Sequence, residues 1–237
     1  MTRPESPQPA GEGLSGAALA RLVTAQTCLH ACMAGMRMAT PLLALRAGYS
    51  AAAVGVLLAL FALTQVFLAL PAGRYTDRHG LKRPVLLAVL VAATGAGLAA
   101  AFPVFPVLCL AALCTGGATG VVVIAMQRHV GRSVSGSDAL RHAFSWLSIG
   151  PAIANFIGPF VAGLVIDHAG FRLAFGAMAL LPLATWWWLR PVAERVPLVL
   201  PKPAPHGAAW SLMREPAFSR LMLVNWVLSS SWDVHTF

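Results

Sequence analysis

From Pro84 to Gln127 the chain runs for 44 residues without one Asp, Glu, Lys or Arg, and this window constrains the fold more than any motif. A helix crossing the hydrocarbon core takes about 20 residues, so the stretch is too long for one span. The interruption Phe102-Pro103-Val104-Phe105-Pro106 divides it into two helices joined by a very short outer turn. Five further apolar runs flank it. The first covers about Leu22 to Leu45 and is broken by Arg37, and the second, about Ala52 to Ala72, sits within 27 charge-free residues. The fifth runs from about Ala143 to Ile166 and the sixth from about Leu173 to Leu189. After a Pro-rich loop (Pro191, Pro197, Pro201, Pro203, Pro205) a seventh starts near Phe218 and continues to Phe237. A chain that is 58% hydrophobic and 11% charged departs from the roughly 45–50% and about 25% of soluble domains. Such a chain is too apolar for a soluble core or for disorder, and its runs are too long for an outer-membrane barrel. The expected class is an all-α integral membrane bundle.

The net charge of +9 reads as orientation rather than nucleic-acid affinity once the cations are located. Arg74, Arg78, Lys82 and Arg83 follow the second span, Arg128, Arg132 and Arg141 follow the fourth, and Arg190, Arg195, Lys202, Arg214 and Arg220 follow the sixth. The alternate loops hold only Arg46 and Arg172, twelve cations against two. Basic loops stay on the cytoplasmic side, so the amino terminus is placed inside. Trp186-Trp187-Trp188 followed by Arg190 reads as an interfacial aromatic belt on that same side. Residues 1–20, polar and rich in Pro and Gly, lack the pattern of a secretory signal and are expected to form a disordered cytoplasmic tail. Cys28, Cys32, Cys109 and Cys114 all lie in apolar runs, which suggests buried thiols and neither a disulfide framework nor a zinc site.

An internal repeat organises the spans. Ala72-Gly73-Arg74-Tyr75-Thr76-Asp77-Arg78-His79-Gly80-Leu81-Lys82 and Ala162-Gly163-Leu164-Val165-Ile166-Asp167-His168-Ala169-Gly170-Phe171-Arg172 share the form Ala-Gly-x3-Asp-x2-Gly-x-base at a spacing of 90 residues. Three spans separate the copies, so they lie on opposite faces of the membrane, the mark of an inverted repeat of two three-helix units. The organisation expected is a tail (1–20), a six-helix half (21–190, repeats about 21–102 and 104–190), a cytoplasmic loop (191–217) and a seventh helix (218–237).

Gly73, Asp77, Arg78, Gly80, Lys82 and Arg83 resemble the signature loop between the second and third helices of the major facilitator superfamily, Gly-x-Leu-Ala-Asp-Arg-x-Gly-Arg-Arg/Lys. Tyr75 and Thr76 replace the usual Leu and Ala, and Leu81 a base. In the fifth span, Asn155-Phe156-Ile157-Gly158-Pro159-Phe160-Val161-Ala162-Gly163 is similar to the Gly-Pro-x-x-Gly-Gly element of the family's exporters, matching at Gly158, Pro159 and Gly163. Gly170-Phe171-Arg172 also has the family's look. The resemblance implies twelve helices in two six-helix halves around a central solute path, so a second half is expected beyond the residues present here. It further implies a secondary carrier of a small organic solute, working by alternating access in the plasma (inner) membrane, with proton coupling as the usual driving force and no cofactor. The exporter element favours efflux.

Candidate path residues are polar groups inside spans, which are costly in lipid and usually face a cavity. Gln26, His30 and Arg37 stand at offsets 0, 4 and 11, which at about 100° per residue point to roughly 0°, 40° and 20°, one helix face. The family's first helix lines the solute path, so these three are candidates for substrate or proton handling, Arg37 foremost. In the seventh span Asn225, Ser229 and Asp233 recur every four residues, and Asp233 is a candidate coupling carboxylate. Exporters of the family commonly carry a coupling arginine in the fourth helix, but Ala111 to Gly120 has none, which weighs against drug and proton antiport. Asp77 is expected to pair with Arg128 or Arg132 as a gate. Gly116, Gly117 and Gly120 are read as helix-packing positions, and Asn155 as a partner for backbone freed at the Gly158-Pro159 kink. No zinc-protease helix pattern, phosphate-cradling Gly-rich Lys motif or nucleophile elbow is present in the sequence. An importer or uniporter in the same fold, or a membrane-embedded enzyme, channel or scaffold, is the alternative.

Overall fold

The computed structural model describes residues 14–194 and 214–235, with side chains through 228. Residues up to 197 form one compact unit and those from 198 a second, and each is described by itself. The first unit holds α1 (Gly16–Arg46), α2 (Ala51–His79), α3 (Lys82–Ala101), α4 (Phe105–Ser133) and α5 (Ser137–Leu189); the second holds α6 (Pro216–His235). Helices α1 to α5 are each long and apolar enough to cross a membrane. Helix α5 has 53 residues, about 80 Å if straight, and therefore crosses twice. Its break is Gly170, with φ 82 and ψ 173, which separates arms 137–169 and 171–189. The six crossings follow the six apolar runs of the sequence. The chain is a multi-pass helical membrane protein.

Helix starts obey local rules. Ser15 and Ser50 accept the amides of Ala18 and Ala53 at 3.2 and 3.3 Å, capping α1 and α2. Ser15 explains why α1 begins at Gly16 rather than near Leu22, so that Gly16 to Ala20 of the expected tail are helical; residues 1–13 and 195–213, most of the expected tail and loop, lie outside the described residues. Prolines lie inside α1, α2 and α5 (Pro41, Pro71, Pro151, Pro159, Pro182), a position that membrane helices tolerate better than soluble ones.

Packing repeats the inverted symmetry. Helix α1 lies against α5 and α2 against α4, while α3 spans α4 and α5. Lipid offers no hydrophobic drive between helices, so close backbone approach at small residues supplies the contact. At the α1–α5 crossing a Cβ on Gly158 would stand 2.9 Å from Gly35 N; at the α4–α2 crossing a Cβ on Gly116 would meet the Phe61 carbonyl. The core has an inner cluster around Leu22, Leu29, Val85, Val89, Met126 and Leu189, and an outer one around Met36, Leu57, Phe61, Leu108, Phe175 and Met178.

All positive-φ residues among those described are glycines, and they come in two pairs. Gly48 (φ 84) and Gly136 (φ 95) precede α2 and α5; Gly80 (φ 75) and Gly170 (φ 82) follow α2 and the first arm of α5. L side chains disfavour this backbone. Both repeats therefore turn on the same special geometry.

Candidate gate and solute path

The carboxy-terminal end of α2 meets the carboxy-terminal end of α4 at a charge cluster. Asp77 lies in the last turn of α2, and Arg128 and Arg132, four residues apart near the end of α4, present their guanidinium groups to it. Arg128 Nη1 and Arg132 Nη2 both donate to Asp77 Oδ1. The carboxylate side chain is 19% exposed against 40% and 38% for the two arginines. Gly73, one turn before Asp77, leaves room for the reach: a Cβ there would stand 3.1 Å from Arg128 Nη2. Gly73 is thus the seat of a guanidinium, a more specific task than general helix approach. Two cations on one carboxylate leave positive charge at the carboxy-terminal end of α4, where the helix dipole favours it.

The adjoining turn is held by a residue the motif does not contain. Leu81 gives α3 no side-chain cap; instead Glu194, just after α5, accepts the amide of Lys82 at 3.0 Å. Glu194 also fills the space beside Gly80 that a Cβ would need. It is the sole acidic residue between Asp167 and Glu215, a signal the sequence did carry. Arg78 and Arg83 are exposed and Lys82 is half-buried. Nearby, Arg190 lies 4.0 Å over the Trp187 ring, the cation of the aromatic belt.

Midway through the unit, α1 turns its polar residues toward α5. Gln26 is 4% exposed, and its Oε1, like His30 Nδ1 and Thr40 Oγ1, is buried with no hydrogen-bond partner among the described residues. His30 lies within hydrogen-bonding reach of the Asn155 side chain, and Arg37 is close enough to act on it electrostatically. Asn155 therefore serves α1 rather than only the Gly158-Pro159 backbone. Buried polar atoms without partners are uncommon and costly, and mark places where water or a ligand supplies the missing bond.

The sequence profile of the Major Facilitator Superfamily matches residues 22–236, nearly the whole of the chain. The chain belongs to the Major Facilitator Superfamily. It is 34% identical over 142 residues to the class B tetracycline resistance protein of Escherichia coli, 57% of this chain and 34% of that protein. With the class C tetracycline resistance protein of Escherichia coli it shares 38% over 126 residues, 51% of this chain and 31% of that protein. These matches span about a third of the relatives' length. The fold is similar to that of a peptide transporter POT in complex with sulfate, with TM-score 0.67 and 20% identity over 94% of this chain and 49% of the other. It is similar also to the POT family transporter PepTSo, with TM-score 0.64 and 20% identity over 83% and 41%.

Within the superfamily fold the second copy of the motif has a different environment. Asp167 is exposed and makes no ion pair among the described residues. A Cβ on Gly163 would meet Met38 Cε at 3.2 Å, where the inner copy has Arg128. The 90-residue register extends to this contact, since Gly163 follows Gly73, and Arg128 follows Met38, by 90. It extends also to mid-membrane: Asn155 beside His30 corresponds to Gln65 beside Gly120, where a Cβ would stand 3.2 Å from Gln65 Cγ. Gln65 was not singled out from the sequence. Carrying the repeat from the loops into the spans finds it. The fifth-helix element divides by task, Gly158 making the close crossing and Pro159 and Gly163 flanking it. In α6, Asn225 is exposed, and the side chains of Ser229 and Asp233 lie outside the described residues.

Proposed function

We propose that these six crossings act with a second six-helix half as a proton-coupled exporter of a small organic solute in the plasma (inner) membrane, working by alternating access. The observation that carries the reading is Asp77 clasped by Arg128 and Arg132, an ionic tie between the cytoplasmic ends of α2 and α4 that must loosen when the inner side opens. Gln26, His30 and Arg37 form the α1 wall of the path, and Gln26 Oε1 and His30 Nδ1, buried without a partner among the described residues, are the groups that a passing solute or water would satisfy. With no arginine in Ala111 to Gly120, Arg37 is the intramembrane cation available for coupling. Asp233, on α6, is the carboxylate proposed to carry the proton. The exporter-like Gly158-Pro159 and the tetracycline resistance relatives support the outward direction.

Tetracycline is the first solute to test. Everted membrane vesicles containing the natural full-length protein should accumulate it saturably under an imposed pH gradient, and a protonophore should abolish the accumulation. Saturable uptake indifferent to the gradient would overturn proton coupling. Arg37→Ala should remove most of the flux while insertion stays normal; unchanged flux would remove Arg37 from the path.

A further inference from the structure

Between α2, α3 and α4, away from the polar face of α1, lies a groove of about 380 Å³. Leu68 and Tyr75 of α2 and Leu87 and Val91 of α3 form its walls, and Gly117 and Ala118 of α4 its floor. Among the described residues no charged side chain lines it. The volume falls within the about 300–1,000 Å³ of small-ligand sites, but such sites carry placed polar groups that fix orientation. Here the lining side chains offer only the Tyr75 hydroxyl, at the end by the α2–α3 turn, and the Cys114 thiol, and so apolar a slot suits a hydrocarbon chain.

The depth of the groove and the charge at its end identify the occupant further. Along α3 it extends from Pro84 to Val91, about 10 Å at 1.5 Å per residue, which fits inside one leaflet of a core about 30 Å thick. That leaflet is the cytoplasmic one, because the end at Tyr75 and Pro84 joins the α2–α3 turn. The same turn carries Arg74, Arg78 and Arg83 with exposed side chains. Cations at headgroup level attract anionic lipid, each worth about fivefold in affinity. We propose that the α2–α3–α4 groove binds one acyl chain of an anionic phospholipid of the cytoplasmic leaflet, with the headgroup phosphate held by Arg78 and Arg83.

Native mass spectrometry of the full chain in detergent tests this with phosphatidylglycerol and phosphatidylcholine of identical acyl chains. Phosphatidylglycerol should bind at least about fivefold more tightly. Leu87→Trp or Val91→Trp, each introduced at a half-exposed wall position, should fill the groove and reduce its retention by a similar factor. Leu90→Trp, equally exposed on the same helix but outside the groove, should leave retention intact. Arg78→Gln with Arg83→Gln should bring phosphatidylglycerol down to the phosphatidylcholine level. Equal binding of the two lipids overturns the anionic assignment, and retention unchanged in both groove-filling variants overturns the site.

Discussion

The two copies of the motif share a backbone and differ in what faces it. Gly80 and Gly170 turn at φ 75 and 82, and Gly73 and Gly163 each seat a side chain of the helix that crosses them. Inside, that side chain is Arg128 and it reaches Asp77; outside, it is Met38, and Asp167 is left to solvent. The turn is therefore the repeated element of the fold, and among the described residues the ion cluster is an addition confined to the end that carries the first copy. Under the proposed alternating access, this tie would hold one access state without an ionic counterpart at the other end.

The largest expected effect separates the carboxylates. Losing the inner tie should cost about 1–2 kcal/mol of bias between access states, a factor of about 5–30 in their ratio. Export by Asp77→Asn should fall correspondingly with insertion unchanged, while Asp167→Asn should transport as the parent does; equal losses would dissolve the distinction between the copies. Next in size are the turns. Gly80→Ala should lower stability by about 2 kcal/mol, because positive φ costs an L residue about 1–2 kcal/mol and Glu194 must also withdraw. Gly170→Ala meets nothing within 4 Å and should lose only the backbone share, so thermal unfolding in detergent should rank the former below the latter. Glu194→Ala, which uncaps α3, should cost about 0.5–2 kcal/mol, and should narrow the gap between Gly80→Ala and Gly170→Ala when combined with the former. The sharpest engineered probe is Met38→Arg. It places a guanidinium opposite Asp167, and an ion pair this exposed is worth up to about 1 kcal/mol, enough to slow export a few-fold in a manner relieved by Asp167→Asn. Slowing that persists in the double variant would show that the introduced guanidinium acts without Asp167. Gly73→Ala should do least, since the end of a flexible arginine can shift by a few tenths of an ångström.

Much of this was legible in the chain because membrane insertion is decided residue by residue. The transfer of each apolar or charged side chain between water and lipid adds nearly independently, so charge-free windows mark the crossings and basic loops the inner face. The 90-residue repeat, seen in two loops, already implied the symmetry that the four positive-φ glycines carry in three dimensions. Partners were harder. Asp77 had a short list of cations on the same face of the membrane and found both Arg128 and Arg132. Glu194 could not be matched with Lys82 from spacing, because 112 residues separate them and only the return of α5 to the end that holds the α2–α3 turn brings them together. Asn155, expected to serve its own kinked helix, lies beside His30 as well, a proximity that spacing along the chain does not reveal and the packing of α1 against α5 creates.

The sequence by itself determined that this protein is a helical membrane bundle and where its spans lie, since those follow from solvation energies local to each residue. Which side chains meet was decided by tertiary structure alone. A rotation of one helix by a single residue, about 100°, would replace Arg128 over Gly73 with Gln127 or His129, and nothing in local hydropathy distinguishes those registers. Close glycine crossings do, because only one register lets the backbones touch.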